Sequence, residues 1–278
     1  MGPRIPIEIV HPRLTAPELD LPRFGLIALG TDLTVERDAA RLIRPDEGIV
    51  HVSRIRFENP TTPENLCAMR PNIAAAAALL VPGVELAAVA FACTSASVTI
   101  RNDVVAGAIA QARPGVPVIT PSSAGLAALK TLGVQRIALL TSYLPETTAP
   151  MVTYFQAGGM TVERCACFGL ADDRDMARLD REALIQTAAS LDGSNIDALF
   201  LSCTAMPALD VIDAIETQIG KPVVSSNQAT FWAMRGLASL SAPVAGLGRL
   251  LQYPAPDQSV WAATVKLTDR VRIEADQL

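Results

Sequence analysis

At 278 residues the chain is long enough for two α/β halves or one large domain. Half of its residues are hydrophobic and 18% are charged, against about a quarter charged in an average protein, which excludes a disordered chain and points to a compact, Ala-rich body with buried helices. A net charge of −5 without a basic block argues against nucleic acid as a partner, and no apolar run approaches the ~18 residues of a membrane span, so with no signal-peptide order at the start the expected location is the cytoplasm.

Residues 1–22 carry five prolines among scattered apolar residues and read as an irregular extension, packed on the body or on a partner. Arg23–Leu29 is the first strand, ending in Gly30-Thr31-Asp32, with a helix from near Thr34. Ile49–Phe57 is the second strand. A helix capped by Thr61 or Thr62, with Pro63 near its first position, runs through the alanines to Leu80. Leu86–Ala92 is a third strand, followed by Cys93-Thr94-Ser95 and a helix to about Arg113. Val116–Thr120 is the fourth, ended by Pro121-Ser122-Ser123.

Then the order restarts. A helix, Ala124–Leu132, leads to a strand at Arg136–Leu140, ended by Thr141-Ser142-Tyr143. A helix from Pro145 to Gly158, a strand at Met160–Phe168, a polar loop at Asp172–Asp175 and a helix at Arg181–Leu191 follow. Ala198–Ser202 is the strand before Cys203-Thr204, and Asp210–Ile219 is helical. Val223-Val224 then mirrors Val118-Ile119, and Ser225-Ser226-Asn227 mirrors Pro121-Ser122-Ser123. The last helix runs from Gln228 to about Ala238. From Gly25 to Cys93 is 68 residues, and from Arg136 to Cys203 is 67. The expected fold is therefore an internally duplicated α/β protein: two pseudo-symmetric, doubly wound domains of about four parallel strands each, with the active site in the cleft between them. Residues 1–120 form the first half with its N-terminal extension and 121–227 the second. Residues 228–278 form a C-terminal helix and tail that pack back on the first half.

Both halves contain one device: a buried-type apolar run that stops at a cysteine followed by threonine, at Cys93-Thr94 and again at Cys203-Thr204. The carboxyl end of a parallel strand is where open α/β sheets bind ligands. Each cysteine precedes a helical segment, which favours thiolate near neutral pH. Two thiols on opposite sides of one cleft can exchange an α-proton between faces, or one can add to an activated double bond while the other assists. Thr94, Ser95, Ser123, Thr204, Ser226 and Asn227 are candidates to anchor a substrate carboxylate, although the threonines also suit helix caps. Tyr143 and Asp32, each at a strand end, are further candidates. No His/Cys spacing suits a metal and no Gly-rich phosphate loop is present, so the chemistry is expected to use side chains alone, without cofactor. Five cysteines in a reducing compartment stay thiols. The apolar composition and Pro-rich N-terminus favour a homodimer or larger assembly.

With these residues in view, the chain resembles the Asp/Glu racemase superfamily, and more closely its maleate cis-trans isomerase and arylmalonate decarboxylase branch. The resemblance covers roughly Arg23 to Leu237. It rests on Ile27–Glu36 (IALGTDLTVE), Phe91–Ser95 (FACTS), Val118–Gly125 (VITPSSAG), Arg136–Tyr143, Ser202–Pro207 (SCTAMP) and Val223–Ser226. It implies two pseudo-symmetric halves, no metal or cofactor, Cys93 as nucleophile and Cys203 as its opposite partner. Tyr143 and Ser123 match the family's tyrosine and serine. The resemblance also implies an asparagine that binds substrate carboxylate where this chain has Asp32; an acid there repels a carboxylate and suits an ammonium or amide. The ectoine-utilisation subgroup is similar in having an acidic residue after the first strand, and an ectoine-derived diamino acid would suit it. Arylmalonate decarboxylases keep only the second cysteine, so Cys93 argues against a simple decarboxylase. The expected function is a cofactor-independent isomerase acting on a small carboxylate or amino-acid-like substrate, with two alternatives: a decarboxylase or lyase using Cys203 as proton donor, and a non-catalytic metabolite-binding protein.

Overall fold

The structure, a computed structural model, describes residues 5–14 and 21–255. Two four-stranded parallel sheets form it. In the first, β1 (Arg23–Leu29), β2 (Ile49–Ile55), β3 (Ala88–Ala92) and β4 (Val118–Ile119) pair in the order β2-β1-β3-β4. In the second, β5 (Arg136–Thr141), β6 (Thr161–Cys167), β7 (Ala198–Ser202) and β8 (Val223–Ser225) pair as β6-β5-β7-β8. The duplicated α/β fold read from the sequence is the fold observed.

The register positions the site. Ala28 pairs with Ala92 and Thr141 with Ser202, so the two central strands of each sheet end level. Gly30-Thr31-Asp32 thus emerges beside Cys93, and Ser142-Tyr143 beside Cys203. The apolar runs of β3 and β7 are buried along their whole length, as strands covered on both faces require. Phe24, Leu26, Ala28 and Ala90 face a large core continuous with the second half, whereas Ile27, Val89 and Phe91 face a smaller one.

The helices follow their end signals. α1 (Val35–Leu42) follows Asp32, and α2 (Pro63–Ala68) is capped by the Thr62 side chain. The helix expected to run on to Leu80 is interrupted by a 3-10 turn at Arg70–Asn72, because Pro71 has no N–H to continue the ladder, and resumes as α3 (Ile73–Ala78). The helix expected after Cys93 is likewise two, α4 (Thr94–Thr99) and α5 (Asn102–Ala112), parted at Arg101, where φ is 85°. Buried Asn102 accepts hydrogen bonds from Thr120 and Ser122 and donates one to Tyr154, which holds the chain at this bend. α6 (Pro121–Thr131), α7 (Pro145–Ala157), α8 (Asp173–Met176), α9 (Arg181–Ser190), α10 (Ile212–Ile219) and α11 (Ser226–Leu237) complete the set. α8 is a helical turn where a loop was expected, capped by the Asp172 side chain.

The helix after each fourth strand crosses over. α6 lies against the second sheet, where Gly125 sits so close to Phe200 that an added Cβ would lie 2.5 Å from the ring. α11 lies against β3 and α1 of the first half, and Arg235 on it bonds Glu47 and the Leu42 carbonyl. Residues 5–14 have no regular structure and leave Ile5, Ile7, Ile9, Val10 and Leu14 exposed, so this part of the extension is not packed on the body. The expected tail beyond residue 255 lies outside the described residues, among which no helix is long and apolar enough to cross a membrane.

Candidate active site

Cys93 and Cys203 line one pocket in the seam between the halves, together with Leu29, Asp32, Thr61, Thr94, Ser95, Tyr143, Asp173, Met176, Thr204 and Ala205. Cys93 is the N-cap residue of α4; its sulphur lies 3.6 Å from the Ser95 hydroxyl and accepts the Ala96 N–H. Cys203 accepts the N–H groups of Ala205 and Met206 and lies 3.8 Å from the Met176 sulphur. Each thiol is thus met by backbone donors that favour a thiolate.

The sequence suggested thiolates near neutral pH. The structure corrects this: both cysteines are 5% exposed, and burial pushes each thiol up to about 12, so in the free pocket both hold their protons. Nearby negative charge adds to this, from Asp32 on Cys203 and from Asp173 on Cys93. Tyr143 is buried with its hydroxyl 3.4 Å from Ser202 Oγ, and burial holds its pKa well above the ordinary value, so it remains a neutral hydroxyl.

The threonines after the cysteines join the halves. Thr94 Oγ1 donates to Ser226 Oγ at 2.8 Å, and Thr204 Oγ1 donates to the Ala92 carbonyl at 3.2 Å. Each reaches from its own half into the other. Asp32 accepts the Thr34 N–H at 2.7 Å and the Val35 N–H at 2.9 Å, which fixes its carboxylate at the start of α1. Burial raises its pKa, and those two donors and the Thr204 hydroxyl oppose the rise.

Ser123 and Asn227 are engaged elsewhere. Ser123 completes a capping box with Thr120 at the start of α6. Asn227 donates to Asp38 and to the Thr204 carbonyl, both at 2.8 Å, and so supports the Cys203 loop from behind. Conversely, Thr61, Asp173 and Met176 line the pocket and were not picked from the sequence. The repeat held a signal for them: Thr61 and Asp173 follow the second strand of their respective halves. They meet there, since Asn59 donates to Asp173 and Asp172, and Thr61 N–H donates to the Ala171 carbonyl. Among the described residues no cluster of His, Cys, Asp and Glu could hold a metal ion.

Paired thiols on matched strand ends, enclosed between two pseudo-symmetric parallel sheets, define a class: α/β enzymes that work through a cysteine pair. Comparison with known proteins specifies the family. The arylmalonate decarboxylase family model matches residues 70–251. The chain is 33% identical over 246 residues to a maleate isomerase of Nocardia farcinica, covering 83% of this chain and 95% of that one. It superposes on the crystal structure of a maleate isomerase from Pseudomonas putida S16 with a TM-score of 0.77 at 26% identity, covering 84% of this chain and 98% of the other. A cysteine-to-serine variant of the Nocardia farcinica maleate cis-trans isomerase, solved with a covalently bound succinylcysteine intermediate, superposes with a TM-score of 0.75 at 27% identity, over 84% of this chain and 98% of the other. The chain belongs to the arylmalonate decarboxylase family, and within it is an isomerase-type enzyme.

Proposed function

We propose that the protein isomerises a small carboxylic acid without a cofactor, using Cys93 and Cys203 on opposite sides of the substrate. One observation carries this reading: the two thiols come from opposite sheets and line the same buried pocket. Cys93, as thiolate, is the nucleophile or base, and Cys203 is the proton donor. With an alkene acid, Cys93 sulphur bonds to one alkene carbon. The C=C electron pair moves to the carbon beside the carboxylate, and Cys203 protonates it. Rotation about the new single bond and reversal of both steps give the trans acid. The succinylcysteine of the Nocardia farcinica relative supports this route. With a saturated acid, Cys93 takes the α-proton and Cys203 delivers its own to the other face, giving the mirror image. The Ser95 and Tyr143 hydroxyls face the carboxylate, and Thr94 and Thr204, whose hydroxyls tie the halves together, shape the pocket around it.

A decarboxylase reading draws on the matching family model, with Cys203 protonating the carbanion left by carbon dioxide. The presence of Cys93 favours the isomerase. The test is NMR in heavy water with maleate, aspartate, glutamate and ectoine-linked diamino acids. Fumarate from maleate supports addition by Cys93, and deuterium entering at a stereocentre with the enantiomer appearing supports proton exchange. Carbon dioxide release from malonate-type acids, with no isomer from any acid, would overturn the isomerase reading.

A further inference from the structure

The two thiol sites are close to matched, and one side chain breaks the match. Each cysteine is 5% exposed. The titratable groups facing Cys203 are Asp32, Tyr143 and Cys93; those facing Cys93 are Asp173, Tyr143 and Cys203. The backbone alone would make Cys203 the more acidic thiol, since it accepts the N–H groups of Ala205 and Met206 whereas Cys93 accepts that of Ala96. The proposed chemistry needs the opposite order: Cys203 must hold a proton while Cys93 ionises.

Met176 supplies that order. It is the last residue of α8, fully buried, and the one methionine among the described residues that line the pocket. Its sulphur accepts the Cys203 thiol at 3.8 Å and the Ser142 hydroxyl at 3.1 Å. A thioether has lone pairs and no hydrogen to give, so it can only accept. It therefore favours the Cys203 thiol over the thiolate. It also takes the single Ser142 proton, which would otherwise stabilise a Cys203 thiolate. Cys93 instead has Ser95, whose Oγ lies 3.6 Å from the sulphur and can donate to it once it ionises.

We infer that Met176 is a positioning residue that keeps Cys203 protonated, and so sets which of two nearly equivalent thiols is the acid and which the nucleophile or base. The inference rests on the isomerase reading for the roles of the thiols and deepens it by naming the group that assigns them. The proton stays on the Cys203 sulphur, directed at Met176 in the empty pocket, and passes to the substrate carbon when Cys93 reacts.

Alkylation of the full chain by iodoacetamide, without substrate and at about pH 8.5, the ordinary thiol pKa, tests this. Mass spectrometry follows Cys93 and Cys203 separately. In the wild type Cys93 is expected to react faster. Met176→Leu keeps a similar volume, removes the acceptor and frees the Ser142 proton. About tenfold more Cys203 thiolate, offset by the lower nucleophilicity of a less basic sulphur, should speed Cys203 about threefold and leave the Cys93 rate unchanged. The double variant Met176→Leu/Ser142→Ala is expected to lose most of that gain, and unfolding temperatures check that both variants fold. Cys203 reacting faster than Cys93 in the wild type, or an unchanged Cys203 rate in Met176→Leu, would overturn the inference. So would a rise of both cysteines together, the mark of a merely looser pocket, or a gain kept in full by the double variant. Alkylation is read without turnover. A protein that shows the shift but isomerises no acid therefore sinks the isomerase reading alone, and one that isomerises with Cys203 indifferent to Met176 sinks this one alone.

Discussion

The two cysteine loops begin from the same sequence device and fold differently. After Cys93 the chain enters α4 at once, and the Ser97 N–H bonds the Cys93 carbonyl at 3.0 Å. Four residues after Cys203 stands Pro207, which has no N–H to make that bond and disfavours helix in the residue before it. The second loop is therefore a bend, with a 3-10 turn only at Ala208–Asp210. Both loops nevertheless aim backbone N–H groups at sulphur. What the duplication preserves is the donor set around each thiol, not the helix. The surroundings are matched as well, each thiol having a serine hydroxyl, Ser95 or Ser142, and the field of one carboxylate, Asp173 or Asp32; what differs is the Met176 sulphur, which lies against Cys203.

Replacing the thiols breaks the pair most directly. Cys93→Ser and Cys203→Ser are each expected to lower kcat by about 10³-fold, within the range for a lost nucleophile or proton donor, with little change in unfolding temperature. A variant that keeps full activity would show that only one loop is chemical.

The seam offers the next test. Asp38 on α1 is fully buried, and burial raises its pKa to about 6 against the opposing Asn227, Arg37 and Arg41. A carboxyl raised in the folded state stabilises the fold below its unfolded pKa and loses that contribution as pH rises through about 6. Relative to Asp38→Asn, the wild type is expected to lose roughly 2 kcal/mol between pH 4 and 7, read by urea unfolding across that window. A flat difference would remove the charge from the seam.

The crossed helices give a smaller effect. Where β7 has Phe200 under Gly125 of α6, β3 has Ala90 at the matching position and α11 has Thr230. Gly125→Ala is expected to cost about 1–2 kcal/mol, overpacking outweighing the ~1 kcal/mol that alanine gains over glycine in a helix. Adding Phe200→Leu should restore most of it. Smallest is Thr94→Val, which removes the hydroxyl tie to Ser226 and should cost about 1 kcal/mol in thermal or urea unfolding.

How much was legible follows from the range of each interaction. Strand runs, caps and the repeat spacing are local patterns, so the sequence alone determined the two parallel sheets and put Cys93, Cys203, Asp32 and Tyr143 at strand ends. Pro71 shows a local signal that was present and outweighed by the alanine run around it. The roles of Ser123 and Asn227 could not be read locally: a serine or asparagine after a strand suits a cap, a seam or a ligand equally, and only docking decides which. Docking of the halves likewise brought Thr61 and Asp173 into the pocket and removed the water that would have kept the thiols near their ordinary pKa. The sequence determined which groups stand at the ends of the strands; the tertiary structure decided which of them share a dry, acidic pocket, because burial and charge fields arise only when the two sheets meet.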